Sequence, residues 1–217
     1  KKRLHFYLLE VAKVITWAAL PTAFFIGWHS KNLFSMLFAS YASPEQISMA
    51  ATLLVMLVAG LPFLCLNRSL TKIFYSLGDT VTPTIVVGIT TTLKIFGNIF
   101  SVFVYGGVYG IILTTLLGAL LHTPIMLWLL IKNHNFTIHL KHYFLFVGRY
   151  MAQLAVGLLA FVVLDNLLNH LLGHIFAVQT RLFFITNIAL SGTIILAIGL
   201  WLWKTRHQWK VKAYFLP

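Results

Sequence analysis

"LFFITNIALSGTIILAIGLWLW", residues 182 to 203, runs for twenty-two residues without a formal charge. As an α-helix it is about 33 Å long, enough to cross a hydrocarbon core of about 30 Å. Trp201 and Trp203 close it beside Lys204 and Arg206, the order of an aromatic belt followed by cations at a membrane–water boundary. The other residues support the same reading. The 217-residue chain is 59% hydrophobic and 9% charged, a balance with which a soluble domain would expose large apolar patches. The chain is therefore read as an all-α polytopic membrane protein. Five more segments qualify as spans, at 11 to 38, 47 to 77, 81 to 105, 107 to 131 and 143 to 168, which makes six. Residues 1 to 135 carry four of them, and residues 136 to 217 carry two more and a basic tail. No internal repeat is evident.

The formal net charge is +12. Nucleic-acid-binding proteins gather such charge into patches on a polar face; here Lys and Arg sit mainly between oily runs, so the partner expected is the bilayer and not nucleic acid. Lys1, Lys2, Arg3, Arg68, Lys72, Lys132, Lys141, Arg149, Lys204, Arg206, Lys210 and Lys212 fall on one side, against Lys31 and Arg181 on the other. The rich side is expected to be cytoplasmic, with both ends of the chain there. Cys65 is the single cysteine and offers neither an intrachain disulfide nor a thiolate metal site. The start, "KKR" with Glu10 and Lys13 inside the first apolar stretch, is unlike a cleaved signal peptide and reads as a piece of a longer polypeptide.

Between the second and third spans lies "FYSLGDTVTPT", residues 74 to 84. Gly78 is expected to close one helix in a left-handed conformation, with Thr82 and Pro83 as N-cap and first position of the next. The opposite hairpin, "YGGVYG", relies on Gly106 and Gly107. The second segment is too long for a single crossing, since 31 residues of helix reach roughly 46 Å. Its end is amphipathic, with Leu70, Ile73, Phe74 and Leu77 on one face and Arg68 and Lys72, four apart, on another. That basic stripe either anchors the helix at the interface or lines a cytoplasm-facing cavity and meets an anionic head group such as a diphosphate.

Lys94 sits near the middle of the third span, where an ionised amine costs about 3 kcal/mol on insertion scales. Thr90, Thr91 and Asn98 are placed with it as a polar track into the bundle interior, where the amine lines a cavity or meets a partner; the alternative is a side chain that snorkels toward water. His122, Thr123 and Pro124 mark a kink in the fourth span, as Pro21 and Pro62 do in theirs. His170 and His174 have helical metal-ligand spacing without a supporting carboxylate or thiolate, and His134, His139 and His142 are read as a solvated loop cluster. Glu10, Glu45, Asp79 and Asp165 are placed at segment ends, too far apart in sequence for acid–base catalysis. No nucleophile–base pair and no phosphate-cradling Gly-rich loop is present, so neither an enzyme nor an ATP-driven pump is expected, and no cofactor is called for.

"FYSLGDTVTP" preceded by Lys72 and followed by a span with Asn98 resembles the MurJ (MviN) lipid II flippases of bacteria, in which an aromatic pair, a short linker, Asp and Thr-Pro occur in this order. Phe74, Tyr75, Asp79, Thr82 and Pro83 carry the likeness. The stretch "ALPTAFFIGWHSKNLFSMLF" is similar to the family's ninth span, and the end of the chain to its fourteenth. The resemblance implies the last six spans of a fourteen-helix exporter of the bacterial inner membrane, moving a lipid-linked peptidoglycan precursor outward by alternating access. It implies an N-terminal lobe as partner and a groove for the polyprenyl tail in the last two spans, including "LAVGLLAFVVL". The family commonly has Arg at the position of Lys72 and an amide or Thr near Lys94. Its essential cavity arginines lie mainly outside the part matched here, so this segment is not expected to flip lipid by itself. Arg68, Lys72, Lys94 and Asn98 are the candidate substrate-binding residues. The competing expectations are an exporter of other lipid-linked oligosaccharides or drugs, and a scaffold or channel subunit.

Overall fold

A computed structural model describes residues 2–105, 107–134, 140–175, 181–209 and 211. Lys1, Gly106, His139, Lys210 and Lys212 lie outside the described residues, as do the side chains of Lys2, Arg3 and Arg181. Among the described residues the secondary structure is helical: α1 Lys2–Trp28, α2 Ser30–Phe38, α3 Pro44–Ala59, α4 Leu61–Ser76, α5 Val81–Tyr105, α6 Val108–His134, α7 Leu140–Ile175 and α8 Arg181–Thr205. Five of these, α1 and α5 to α8, are long and apolar enough to cross a membrane, and the α3–α4 pair makes six if taken as one bent span.

One boundary differs from the sequence expectation, and one bend falls where Pro62 led it to be expected. The first segment, read as continuous from 11 to 38, breaks at His29, where α1 ends and α2 begins. His29 and Ser30 are buried, and the contacts of His29 are described below. The second segment bends by 41° between α3 and α4. Pro62, the second residue of α4, cannot donate to the preceding turn, and Gly60 lets the backbone approach α6 closely: a Cβ there would lie 2.8 Å from Leu116 Cδ1. The bend accounts for the excess length. Pro21 and Pro124, by contrast, lie inside helices that continue through them.

The chain forms two compact units, one containing residues 1–23 with 56–143 and the other 24–55 with 144–212. In the first, α4, α5 and α6 pack together. Leu8, Leu70, Phe74, Val86, Met126 and Leu130 form its core, with Ile73 and Leu77 against it, so the apolar face predicted for α4 is the one buried. In the second, α7 and α8 run antiparallel, and Phe161 of α7, fully buried, meets the rings of Phe24, Phe25, Trp28 and His29 edge-on. Gly157 permits the approach, since a Cβ there would sit 3.0 Å from Ile198 Cγ2. Gln153 clasps the pair by donating to Leu202 O at 2.9 Å and Thr205 Oγ1 at 2.8 Å. Lipid tails are as apolar as leucine, so contacts of this kind, close packing and interhelical hydrogen bonds, hold spans together where exclusion of water does not.

Candidate functional site

The α4–α5 hairpin is built by backbone chemistry. Gly78 has φ +78°, the left-handed conformation that costs glycine least. Gly78 N–H then donates to Tyr75 O and Asp79 N–H to Phe74 O, both at 3.0 Å, the paired bonds of a Schellman C-cap. The next helix is capped by Asp79, whose Oδ1 accepts the Thr82 N–H at 2.9 Å. This corrects the assignment of Thr82 as N-cap: a carboxylate one turn earlier reaches the exposed N–H first. Asp79 Oδ2 lies 3.1 Å from His134 Nε2, and the His134 ring meets Phe74 edge-on, centroids 5.7 Å apart. His134 therefore belongs to the last turn of α6 and to this junction, not to a solvated loop cluster; His142 is exposed on α7. The hydrogen bonds from Thr82 and His134 hold the Asp79 carboxyl below the ordinary carboxylate range. Of the other hairpin residues, Pro83 is buried and Tyr75 exposed.

From this hairpin α5 turns one polar face toward α6. Thr90 is buried, its hydroxyl 3.3 Å from His122 Nδ1. Lys94 lies near the middle of the 25-residue α5, its stem crossing Gly118: a Cβ on Gly118 would lie 2.8 Å from Lys94 Cγ. Asn98 bonds through Oδ1 with the Thr114 hydroxyl. Ser101 packs on Gly110, where a Cβ would come within 2.9 Å of the Ser101 hydroxyl. The answering residues of α6, Gly110, Thr114, Gly118 and His122, recur every four positions and so share a face. That four-residue pattern was legible in the sequence and went unread. Thr91, expected on the same track, is exposed and lies off it.

Lys94 has no carboxylate within 4 Å among the described residues. It lines an open pocket of about 180 Å³ with Thr90, Gly97, Thr114 and Gly118. A second pocket of about 410 Å³ begins at Thr82 and Asn133 near the hairpin and reaches Thr90, with Ile85, Ile89 and Trp128 on its walls. Thr90 lines both pockets. Arg68 and Lys72 line neither; they are exposed on α4, away from its buried Leu70 and Phe74. Asn67, one residue before Arg68, instead ties α4 to α6 by donating to Ala119 O at 3.1 Å and accepting from the Thr123 hydroxyl at 2.6 Å.

The second unit holds a polar cluster that sequence reasoning missed. Asp165 was assigned to a segment end; it lies within α7 and is 1% exposed. Its Oδ2 accepts Trp28 Nε1–H at 2.8 Å and Asn169 Nδ2–H at 3.1 Å, and its Oδ1 accepts the Ser191 hydroxyl. Asn187 donates to Asn169 Oδ1 at 2.6 Å, and Asn32 to Asn187 Oδ1 at 2.9 Å. His29 closes the ring, with Nδ1 3.4 Å from Asn32 Nδ2 and Nε2 3.7 Å from Asp165 Oδ1. The available signal was three polar pairs spaced by four, Trp28/Asn32, Asp165/Asn169 and Asn187/Ser191. His170 and His174 meet edge-on at 4.7 Å, and no group of three metal-ligating side chains occurs among the described residues.

No curated protein sequence matches the chain. Among solved structures the fold is similar to a lipid II flippase MurJ in an inward closed conformation, with TM-score 0.68 and 15% identity over 94% of this chain. The match spans 40% of that protein's length. A family model described as lipid II flippase MurJ matches residues 7–186. With most of its length matched by that model, the chain belongs to the MurJ lipid II flippase family.

Proposed function

We propose that this chain forms the C-terminal portion of a transporter that moves lipid II, or a closely similar polyprenyl-diphosphate-linked precursor, from the cytoplasmic to the periplasmic leaflet. The observation that carries the proposal is Lys94, a mid-span cation without a carboxylate partner among the described residues, lining an open groove. An amine in that position is costly unless it meets water or an anion. A diphosphate supplies the anion, and the apolar walls at Ile85, Ile89 and Trp128 suit a lipid rather than a free nucleotide. Lys94 and Asn98 then contribute to head-group binding inside the bundle, while Arg68 and Lys72 on the exposed face of α4 attract anionic head groups at the membrane surface. No covalent step is involved. Transport proceeds by rocking this portion against an N-terminal lobe around a shared cavity, in the bacterial inner membrane.

The test replaces Lys94 by Met and by Arg in the full-length protein and follows lipid II in the inner leaflet of cells depleted of the wild type. Accumulation with Lys94→Met and rescue by Lys94→Arg is the expected result; normal lipid II turnover with Lys94→Met rejects a substrate role for this amine. Orientation is tested separately, in a Cys65→Ser background. A cysteine at Asp79 is expected to be shielded from a periplasmic thiol reagent, and one at Gly107 to be labelled.

A further inference from the structure

The cluster around Asp165 has no part in the proposed transport step. Each of its three close contacts donates toward the carboxylate: the indole N–H of Trp28, which has no acceptor, the Asn169 amide and the Ser191 hydroxyl. Such a cradle presents donors to a carboxylate that accepts on both oxygens and does not suit a metal cation, because three of its roughly four lone-pair sites are already engaged. A buried anion also needs a counter-charge. Around it stand Trp28 of α1, His29 at the break and Asn32 of α2, with Asn169 from α7 and Asn187 and Ser191 from α8, neither titratable. Lys31 and His170 on the same elements are exposed. His29 is therefore the one titratable group beside the carboxylate among the described residues. It is 1% exposed, and its Nε2 is a buried nitrogen without a hydrogen-bond partner, 3.7 Å from Asp165 Oδ1 and outside normal hydrogen-bond range.

We infer that His29 and Asp165 form a binding site for one proton, whose occupancy is linked to the junction of the α1–α2 break with α7 and α8. The linkage follows from donor order. Asp165 accepts only, so Asn169 presents its nitrogen to it and its oxygen to Asn187; Asn187 in turn presents its oxygen to Asn32, whose nitrogen faces His29 Nδ1. That order makes Nδ1 an acceptor and places the ring hydrogen of neutral His29 on Nε2. A second ring proton has to go on Nδ1, against the Asn32 nitrogen, so proton uptake turns Asn32 and disturbs the amides behind it. The imidazolium it creates neutralises the carboxylate and draws Nε2 into hydrogen-bond range. Ion-pair formation and rearrangement of the ring thus occur together, at the point where α1 breaks. The inference is independent of what the protein carries.

The test is a pH titration of ¹⁵N-histidine-labelled full-length protein in lipid nanodiscs by NMR, with the His29 resonances assigned by their loss in His29→Gln. His29 is expected to titrate. Asp165→Asn should lower its midpoint by about one pH unit or more, the usual effect of removing an adjacent opposite charge. Trp28→Phe keeps the carboxylate but removes one donor, leaving its charge less screened toward His29, and should raise the midpoint. A His29 that keeps one protonation state wherever the protein is folded overturns the site. So does a midpoint indifferent to Asp165→Asn. If Asp165→Asn does not fold, Trp28→Phe decides alone, and an unchanged midpoint overturns the site.

Discussion

Each unit holds a charged side chain within a span, Lys94 in the first and Asp165 in the second, and the two are treated in opposite ways. Asp165 is enclosed by three donors and a histidine drawn from its own helix and two other stretches of chain. Lys94 has its stem laid across a glycine and its ammonium beside an open pocket. Solvation physics explains the contrast. A carboxylate sealed from water persists only when its lone pairs are filled, and once filled it fixes the helices that supply the donors. An amine left unfilled stabilises nothing nearby and remains available to an incoming anion. The first arrangement builds structure, and the second is the one on which the proposed substrate role of Lys94 rests.

The contrast is broken most directly by deleting each charge in turn. Asp165→Ala strands the Trp28, Asn169 and Ser191 donors and is expected to cost on the order of 3 kcal/mol or more. Lys94→Met, which removes a half-buried cation without an ionic partner among the described residues, should change stability by less than about 1 kcal/mol. Thermal unfolding of the full-length protein in detergent compares them, and equal losses would erase the distinction. Gly118→Leu comes next: it places a side chain where the Lys94 stem runs and is expected to cost about 2 kcal/mol through overpacking while displacing the amine and abolishing transport. A stable, active Gly118→Leu protein would show that the stem does not depend on that contact.

Smaller effects sharpen the comparison at the hairpin. Asp79→Ala removes the α5 cap and should cost about 1 kcal/mol, with Asp79→Asn costing less because an amide caps nearly as well. The folded state lowers the Asp79 pKa, so this contribution is complete above the carboxylate's unfolded value, near 4. It is lost as pH falls through the lower folded value. The difference between Asp79 and Asp79→Ala in unfolding midpoint should therefore be constant at neutral pH and shrink below about pH 4. Smallest of all, Arg68→Gln with Lys72→Gln should shift stability by no more than about 0.5 kcal/mol, since both side chains are exposed; its effect is expected in binding to anionic vesicles, weakened and less sensitive to salt.

Much of the first unit was legible in the sequence because its determinants are local. Gly78 announces the turn, the spacing of Leu70, Ile73, Phe74 and Leu77 gives the buried face of α4, and Lys94 stands out in an apolar run. The N-cap was misassigned because Asp79 and Thr82 both suit capping and only geometry separates them. The second unit was hidden for a different reason. Asp165 finds Trp28 and Ser191 at separations of 137 and 26 residues, and a lone acid near one end of an apolar run looks like a boundary until its partners are known. The spacing of four within each contributing helix was visible, but it specifies a face and not what that face meets. The break at His29 escaped for the same cause, since it depends on contacts made by distant helices, whereas the bend at Gly60 was signalled locally by Pro62.

The central claim, that the mid-span amine of α5 is a site for an anionic lipid, is tested most directly by the affinity of purified full-length protein for lipid II, measured by native mass spectrometry. Lys94→Met is expected to weaken binding about tenfold or more, a loss of about 1.4 kcal/mol, with Lys94→Arg close to wild type. Equal affinity for wild type and a folded Lys94→Met protein would contradict the account.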